Sequence, residues 1–242
     1  MRGLGTIVNV LAVLVGGFLG MTVKRGLKER FQDTLMKALG LATMFLGLSG
    51  TLEKMLQVGE GGLSTTGTMS MIFSLVFGSL LGELCNMEEG MERFGEWLKA
   101  RFDKGGEEGR FVEGFVVSSL TICIGAMAIV GAIEDGLMGN HSTLFAKAVL
   151  DLVIVMVFAS AYGKGVLFSA IPVGIWQGSI TLLSGFIAPI LTEQMIGSIS
   201  YVGNMLIFCV GVNLAFGKRF RVANMLPALL FAAIASALWG FS

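Results

Sequence analysis

Charged residues are scarce in this sequence. Only 14% of its 242 residues are Asp, Glu, Lys or Arg, whereas 54% are hydrophobic. Soluble domains carry about 25% charged residues, so this chain cannot cover a water-facing surface. The formal net charge is +0, which removes any bulk electrostatic argument for nucleic acid as a partner. The composition therefore predicts an integral membrane protein surrounded by lipid.

Histidine and cysteine are also rare. His141 is the single histidine, which leaves no plausible Ser-His-Asp arrangement and makes a histidine-based metal site improbable. The cysteines lie in different apolar runs without metal-ligand or disulfide spacing and are interpreted as packed thiols. They are Cys85, Cys123 and Cys209. We therefore predict no enzyme activity, no cofactor and no metal site.

Long apolar runs recur from one end of the sequence to the other. A bilayer-spanning helix needs roughly 20 apolar residues, and about eight runs approach this length. The sequence thus predicts an all-α, polytopic membrane protein formed by one domain, 1–242, although six or seven spans are also compatible with it. The predicted segments are 4–23, 38–56, 66–86, 111–133, 143–162, 165–190, 198–216 and 222–241.

The positive charges are distributed unevenly between the connecting stretches. Most of the 17 Lys and Arg residues follow odd-numbered segments, mainly in 24–37, 93–110 and 218–221, whereas Arg2 and Lys54 lie on the other side. The positive-inside rule then predicts that these stretches are cytoplasmic and that both termini lie on the outer side of the membrane. Residues 87–102, which overlap the second stretch, have the pattern of an amphipathic cytoplasmic helix.

The first half of the sequence contains two similar parts. Residues 5–7 (GTI) are echoed by 67–69 (GTM), and two glycine pairs recur in the same register. We predict that 4–56 and 66–135 are parallel copies of a helical hairpin, with chance similarity between glycine-rich runs as the alternative. The pairs Gly16/Gly20 and Gly78/Gly82, and also Gly174/Gly178, predict close helix packing, or close approach of a substrate to the backbone.

The sixth apolar segment is interrupted by several helix breakers. Pro172 and Gly174 predict a break at membrane depth, which is tolerated only where protein or a polar cavity satisfies the freed backbone groups. Gln177, Ser179 and Thr181 follow within two turns. We predict that these side chains line a polar cavity beside the fifth segment. The alternative is a continuous, kinked helix.

Ionisable residues within the fifth segment are the other candidates. Lys147 and Asp151 are four residues apart and share one helix face. Charges at this depth indicate a functional site, or else a neutral pair that only fixes packing. Glu134 and Asp135 could reach Lys147 or lie at the surface. Asn9 and Asn204 within apolar segments are candidates for the same pathway, or for hydrogen bonds between helices.

The sequence resembles a known family in three blocks of residues. The blocks are Gly5-Thr6 with Asn9, Gly16 and Gly20; Ile133-Glu134-Asp135-Gly136-Leu137 with Lys147 and Asp151; and Ser169-Ala170 with Pro172, Gln177, Gly178, Thr181 and the stretch 224–229, NMLPAL. Together they are similar to the bacterial membrane proteins classed as domain of unknown function 554, the YqgA/YdfK-like group. The resemblance implies an integral plasma-membrane protein of a kind often guessed to be a transporter, and it supplies no catalytic or ligand-binding residues.

Two functions remain open at this point. The first is a transporter or channel for a small polar solute or ion, favoured by the interrupted sixth segment and the charges in the fifth. The second is a membrane sensor or scaffold whose amphipathic cytoplasmic helices bind a partner. A homo-oligomer is compatible with either function.

Overall fold

The computed structural model describes residues 2–24, 29–59, 62–102, 110–123, 126–187 and 189–239. In this part of the chain the structure is almost entirely helical. The helices are α1 (Leu4–Lys24), α2 (Glu29–Met55), α3 (Thr68–Cys85), α4 (Met87–Phe102), α5 (Arg110–Cys123), α6 (Ala126–Met138), α7 (Ser142–Tyr162), α8 (Ala170–Ile187), α9 (Glu193–Phe216), α10 (Val222–Met225) and α11 (Ala228–Trp239).

Within the described residues, 5 helices are long and apolar enough to cross a membrane, or 6 if α5 and α6 form one bent span. The five are α1, α3, α7, α9, and α8 together with the residues just before it. The structure therefore does not confirm the predicted count of eight membrane spans. In α2 the uncharged stretch between Lys37 and Glu53 is shorter than the roughly 20 residues of a full span, and the apolar helical stretch Val222–Leu238 is also too short.

The contacts divide the chain into two compact units. The first comprises Met1–Ala38, Glu89–Cys123 and Met127–Ile190, and the second comprises Leu39–Glu88, Ile124–Ala126 and Leu191–Ser242. Residues from both predicted repeat copies, 4–56 and 66–135, contribute to each unit. A predicted hairpin is therefore not by itself a compact unit, and the duplication stays a prediction.

In the first unit, α1 packs closely along α7. A Cβ atom added to Gly16 would lie 2.4 Å from the carbonyl oxygen of Leu152, and one added to Gly20 would lie 2.1 Å from that of Met156. Only glycine permits the two backbones to approach this closely. Gly16 and Gly20 therefore lie at a close helix contact, as the sequence predicts for this glycine pair.

In the second unit, α3 makes a similar contact with α10 and α11. A Cβ atom on Gly78 would lie 2.3 Å from the backbone of Ala228, and one on Gly82 would lie 1.8 Å from the carbonyl oxygen of Asn224. The core beside this contact is apolar and is built around Val202, Ala228 and Ala232. The second unit therefore also has a glycine pair at a tight helix contact.

A short β-hairpin joins α2 to α3 and was not expected in an all-α fold. Strand β1 (Leu56–Gly59) pairs antiparallel with β2 (Gly62–Thr65). Four residues per strand carry little sequence signal, because their alternation cannot be separated from that of a polar loop. The hairpin lies between elements of the second unit and does not contribute to the site described below.

The predicted break in the sixth segment is wrong in its position. Helix α7 ends at Tyr162, Gly163 adopts a positive φ of 83°, and a 3₁₀ segment, Lys164–Ser169, leads into α8. Helix α8 then continues through Pro172 and Gly174. Pro172 is tolerated because it lies in the first turn, where its missing N–H would have no intrahelical partner.

Helix α4 has one face against α5 and another exposed. Leu98 is fully buried, and the ring of Phe94 contacts that of Phe115 edge-on at 5.7 Å between centroids. Trp97 is stacked on Phe94 and remains exposed. The predicted amphipathic character of 87–102 agrees with this arrangement. The polar stretch 103–109 lies outside the described residues.

Candidate functional site

The centre of the candidate site is an ion pair on α7. Lys147 and Asp151 are one turn apart, and both are almost completely buried in the first unit. The Lys147 Nζ also donates a hydrogen bond to the carbonyl oxygen of Ile122 at 2.8 Å. Neither charge is therefore left uncompensated within the protein, which is the condition under which ions are tolerated at this depth.

The carbonyl of Ile122 is available because the fourth predicted segment is not one continuous helix. Helix α5 ends at Cys123, α6 begins at Ala126, and the two axes differ in direction by 62°. The last carbonyl groups of a helix have no intrahelical partner, and Lys147 supplies one for Ile122. The predicted segment 111–133 therefore contains two helices, and residues 124–125 between them lie outside the described residues.

Asn9 connects the ion pair to the neighbouring helix α8. Its Nδ2 donates one hydrogen bond to Asp151 Oδ2 at 3.0 Å and another to Gln177 Oε1 at 3.1 Å. Asn9 is completely buried, and Gln177 is 1% exposed. The structure thus brings together four of the predicted site residues from three helices, and we call Asn9, Lys147, Asp151 and Gln177 the polar cluster.

Two atoms of the polar cluster have no partner. Asn9 Oδ1 and Gln177 Nε2 are buried and form no hydrogen bond with any described residue. An unsatisfied buried polar atom costs about 1–3 kcal/mol. Asn9 Oδ1 is an acceptor and Gln177 Nε2 is a donor, so a water molecule or a polar group of a solute could satisfy each of them.

A cleft of about 520 Å³ lies one turn from the polar cluster, in the first unit. Among its lining residues, Thr6 and Thr181 have hydroxyl groups 3.4 Å apart. Thr6 precedes Asn9 by one turn on α1, and Thr181 follows Gln177 by one turn on α8. The cleft is lined by Arg2, Gly3, Thr6, Ile7, Gly136, Leu137, Gly178, Thr181, Leu182, Ser184, Gly185 and Phe186.

The two acids at the end of α6 do not reach Lys147. Asp135 is fully buried and accepts hydrogen bonds from the backbone N–H groups of Gly3 and Gly5, each at 3.0 Å, and its Oδ1 lies 2.8 Å from His141 Nδ1. It therefore caps the N-terminus of α1, where a carboxylate is favourable. Glu134 accepts a hydrogen bond from Thr143. Asp135 is thus neither a partner of Lys147 nor a surface residue.

Two other predicted site residues lie elsewhere. Ser179 is exposed because it is two positions from both Gln177 and Thr181, and a helix turns by about 100° per residue. Asn204 belongs to the second unit, where its side chain occupies the space beside Gly50.

The glycine pair on α8 does not form a tight helix contact. A Cβ atom on Gly174 would be 3.4 Å from Val10, which is ordinary contact, and one on Gly178 would meet no described atom within 4 Å. The packing prediction is therefore wrong for Gly178, which instead borders the cleft. Gly185, a helix breaker of the sixth segment that was not predicted as a site residue, borders the cleft as well.

Comparisons with known proteins support both the family resemblance of the sequence and the membrane location that the apolar helices indicate. The family model described as "Protein of unknown function (DUF554)" matches residues 4–237. The chain is 32% identical over 226 residues to the "Uncharacterized membrane protein YdfK" of Bacillus subtilis (strain 168), covering 93% of this chain and 92% of that protein. It is 31% identical over 239 residues to the "Uncharacterized protein YqgA" of Escherichia coli (strain K12), covering 98% and 97%. No solved structure matches the chain significantly. This chain therefore belongs to the DUF554 family and is a membrane protein.

Proposed function

We propose that this protein is a plasma-membrane transport protein, rather than an enzyme, for a small polar solute or ion. The observation that supports the proposal is the continuous series of polar side chains between α1 and α8 in the first unit. It begins with Thr6 and Thr181 at the cleft and continues with Asn9 and Gln177 one turn deeper. It ends at Asp151, which Asn9 contacts near the middle of α7.

The burial of these groups is costly if it serves packing alone. Apolar residues of similar volume would fill the same space without desolvating two charges and two amides. One turn deeper on the same faces, Val13 and Val173 are fully buried and apolar. The polar series thus extends from one end of the helices to about their middle, which is where transporters place their binding sites.

The positive charges that follow α1 in the sequence predict that the cleft, at the opposite end of α1, lies on the outer side of the membrane. A solute would then enter beside Thr6 and Thr181 and exchange hydrogen bonds with the unpartnered atoms of Asn9 and Gln177. Passage beyond Val13 and Val173 would require movement of α1 relative to α8, because both valines are fully buried in this conformation.

A solute screen tests the proposal. The purified protein in lipid nanodiscs is heated with individual small solutes and ions, because a ligand that binds only the folded state raises the melting temperature. We expect at least one compound to stabilise the protein, to lose this effect with Asn9→Ala, and to keep it with the matched control Asn204→Ala. The same compound should then enter proteoliposomes.

The proposal fails if stabilising compounds act equally on both variants, or if they bind without being taken up. The sensor or scaffold function is then favoured, for which the exposed stack of Phe94 and Trp97 on α4 is the supporting observation. Their ring centroids are 5.8 Å apart, and exposed aromatic residues are common at protein interfaces. In that case Trp97→Ala should abolish partner binding while leaving the fold unchanged.

A further inference from the structure

We propose that the cleft binds a small carboxylate with an apolar body. This inference rests on the proposed function and names the class of substrate that would be transported. The cleft volume of about 520 Å³ lies within the range of roughly 300–1,000 Å³ that is usual for small-molecule sites. Its lining combines apolar walls, three hydroxyl groups and one charged residue.

The charged residue determines the sign of the ligand. Arg2 is the only ionisable residue among the described residues that line the cleft. Its guanidinium forms no ion pair with any residue in the described part of the chain. A guanidinium presents paired N–H donors that match both oxygens of a carboxylate, so charge complementarity favours an anion with this planar geometry.

The two acids at the end of α6 form no ion pair with Arg2. Asp135 is completely buried and engaged by Gly3, Gly5 and His141. Glu134 accepts a hydrogen bond from Thr143. Neither acid lines the cleft, so Arg2 is the charged side chain that a ligand in the cleft would meet.

The apolar walls determine the body of the ligand. Ile7, Leu137, Leu182 and Phe186 line the cleft on three helices. Between them, Thr6, Thr181 and Ser184 offer hydroxyl groups that can donate to an anion or accept from a polar substituent. A hydrocarbon portion would remove apolar surface from water at this site, whereas a fully polar anion such as phosphate would leave these walls without a partner.

Two glycines on α8 provide the space. A Cβ atom on Gly178 or Gly185 would meet no described atom within 4 Å. These residues are two turns apart on the face that borders the cleft, so their missing side chains leave ligand volume. Gly136 differs, because a Cβ atom there would lie 2.3 Å from Ser184 Oγ and would obstruct packing.

Matched pairs of ligands test the sign of the charge. Butanoate, hexanoate and benzoate are titrated against the full-length protein in phosphatidylcholine nanodiscs, each beside its neutral amide, and empty discs correct for partitioning into lipid. We expect at least one carboxylate to bind at least tenfold more tightly than its amide. Arg2→Gln should remove this preference without weakening binding of the amide. Equal binding of acid and amide by all three pairs, or an unchanged preference in Arg2→Gln, would overturn the proposal.

Filling the cleft tests its location. Gly178→Val should weaken binding of both acid and amide at least tenfold, whereas the matched control Gly90→Val should change neither, because Gly90 on α4 also has open space at its Cβ position. Unchanged binding by Gly178→Val would overturn the assignment. Loss of hexanoate binding when phosphatidylglycerol is added to the discs would indicate that the cleft binds an anionic lipid. This result would also overturn the proposal.

Binding and transport are separated by one further measurement. Carboxylate binding that depends on Arg2, without uptake into proteoliposomes, would support the cleft assignment and refute the transport function. Uptake of a different solute that requires Asn9 but neither Arg2 nor the open space at Gly178 would support transport and overturn the carboxylate assignment.

Discussion

Asn9 is the residue on which the polar cluster depends. Both N–H groups of its amide are used, one for Asp151 and one for Gln177. A leucine of similar size would leave the Asp151 carboxylate with only Lys147 as its donor. The alternative in which an asparagine simply joins helices is compatible with these bonds, but it does not account for the unpartnered Oδ1 of the same side chain.

The ion pair provides a prediction at the residue scale. Asp151→Asn should lower the free energy of unfolding by about 3–5 kcal/mol, because it leaves the ammonium of Lys147 buried with its counter-ion removed. The double variant Lys147→Met with Asp151→Leu should lose less, because it removes both charges. Reversible unfolding in mixed micelles measures the difference.

An exposed pair with the same spacing is the control. Lys37 and Asp33 are also one turn apart, but their side chains are 62% and 64% exposed. Asp33→Asn should therefore change the stability by no more than about 0.5 kcal/mol. If the losses of Lys147→Met alone and of Asp151→Leu alone simply add in the double variant, the two residues do not interact.

The secondary-structure elements differ in how they use glycine. Gly20 on α1 lies against the backbone of α7, whereas Gly178 on α8 faces open space. The same spacing of small residues thus produces a tight helix contact in one place and a cleft wall in another. The spacing alone does not distinguish them, because it specifies only that two glycines share a helix face.

A pair of alanine substitutions tests this difference. Gly20→Ala should destabilise the protein by about 3 kcal/mol or more, since the new methyl group would overlap the carbonyl of Met156 and force α1 and α7 apart. Gly178→Ala should be neutral or stabilising by about 0.5–1 kcal/mol, because alanine restricts the unfolded chain more than glycine does. Melting temperatures in the same detergent compare the two, and a similar loss for both would contradict the described packing of α8.

At the scale of the whole molecule, the uneven distribution of positive charges along the sequence predicts an orientation in the membrane. In a background without native cysteine, single cysteines at Lys99 and Arg219 should be protected from a membrane-impermeant thiol reagent in intact cells. Cysteines at Ser64 and Gln194 should react, because their stretches carry few cations and are expected outside. Labelling of all four positions after cell lysis is the control, and the reverse pattern in intact cells would invert the proposed entry side.

The sequence by itself determined the membrane class, the family and the spacing of Lys147 and Asp151. These features are local: hydrophobicity is summed along single segments, and residues four apart share a helix face whatever surrounds them. The tight contacts at Gly16, Gly20, Gly78 and Gly82 also follow from a pattern within single helices. Such features need no knowledge of which helices are neighbours.

Only the tertiary structure decided how these parts form a site. Asn9 meets residues that are 142 and 168 positions away in the chain, and Asp135 caps a helix that begins 131 residues earlier, through bonds to Gly3 and Gly5 with separations of 132 and 130. The periodicity of one helix indicates which residues share a face but not which helix that face will meet. For the same reason the break beside Lys147, between α5 and α6, and the open space at Gly178 became apparent only when the helices were packed together.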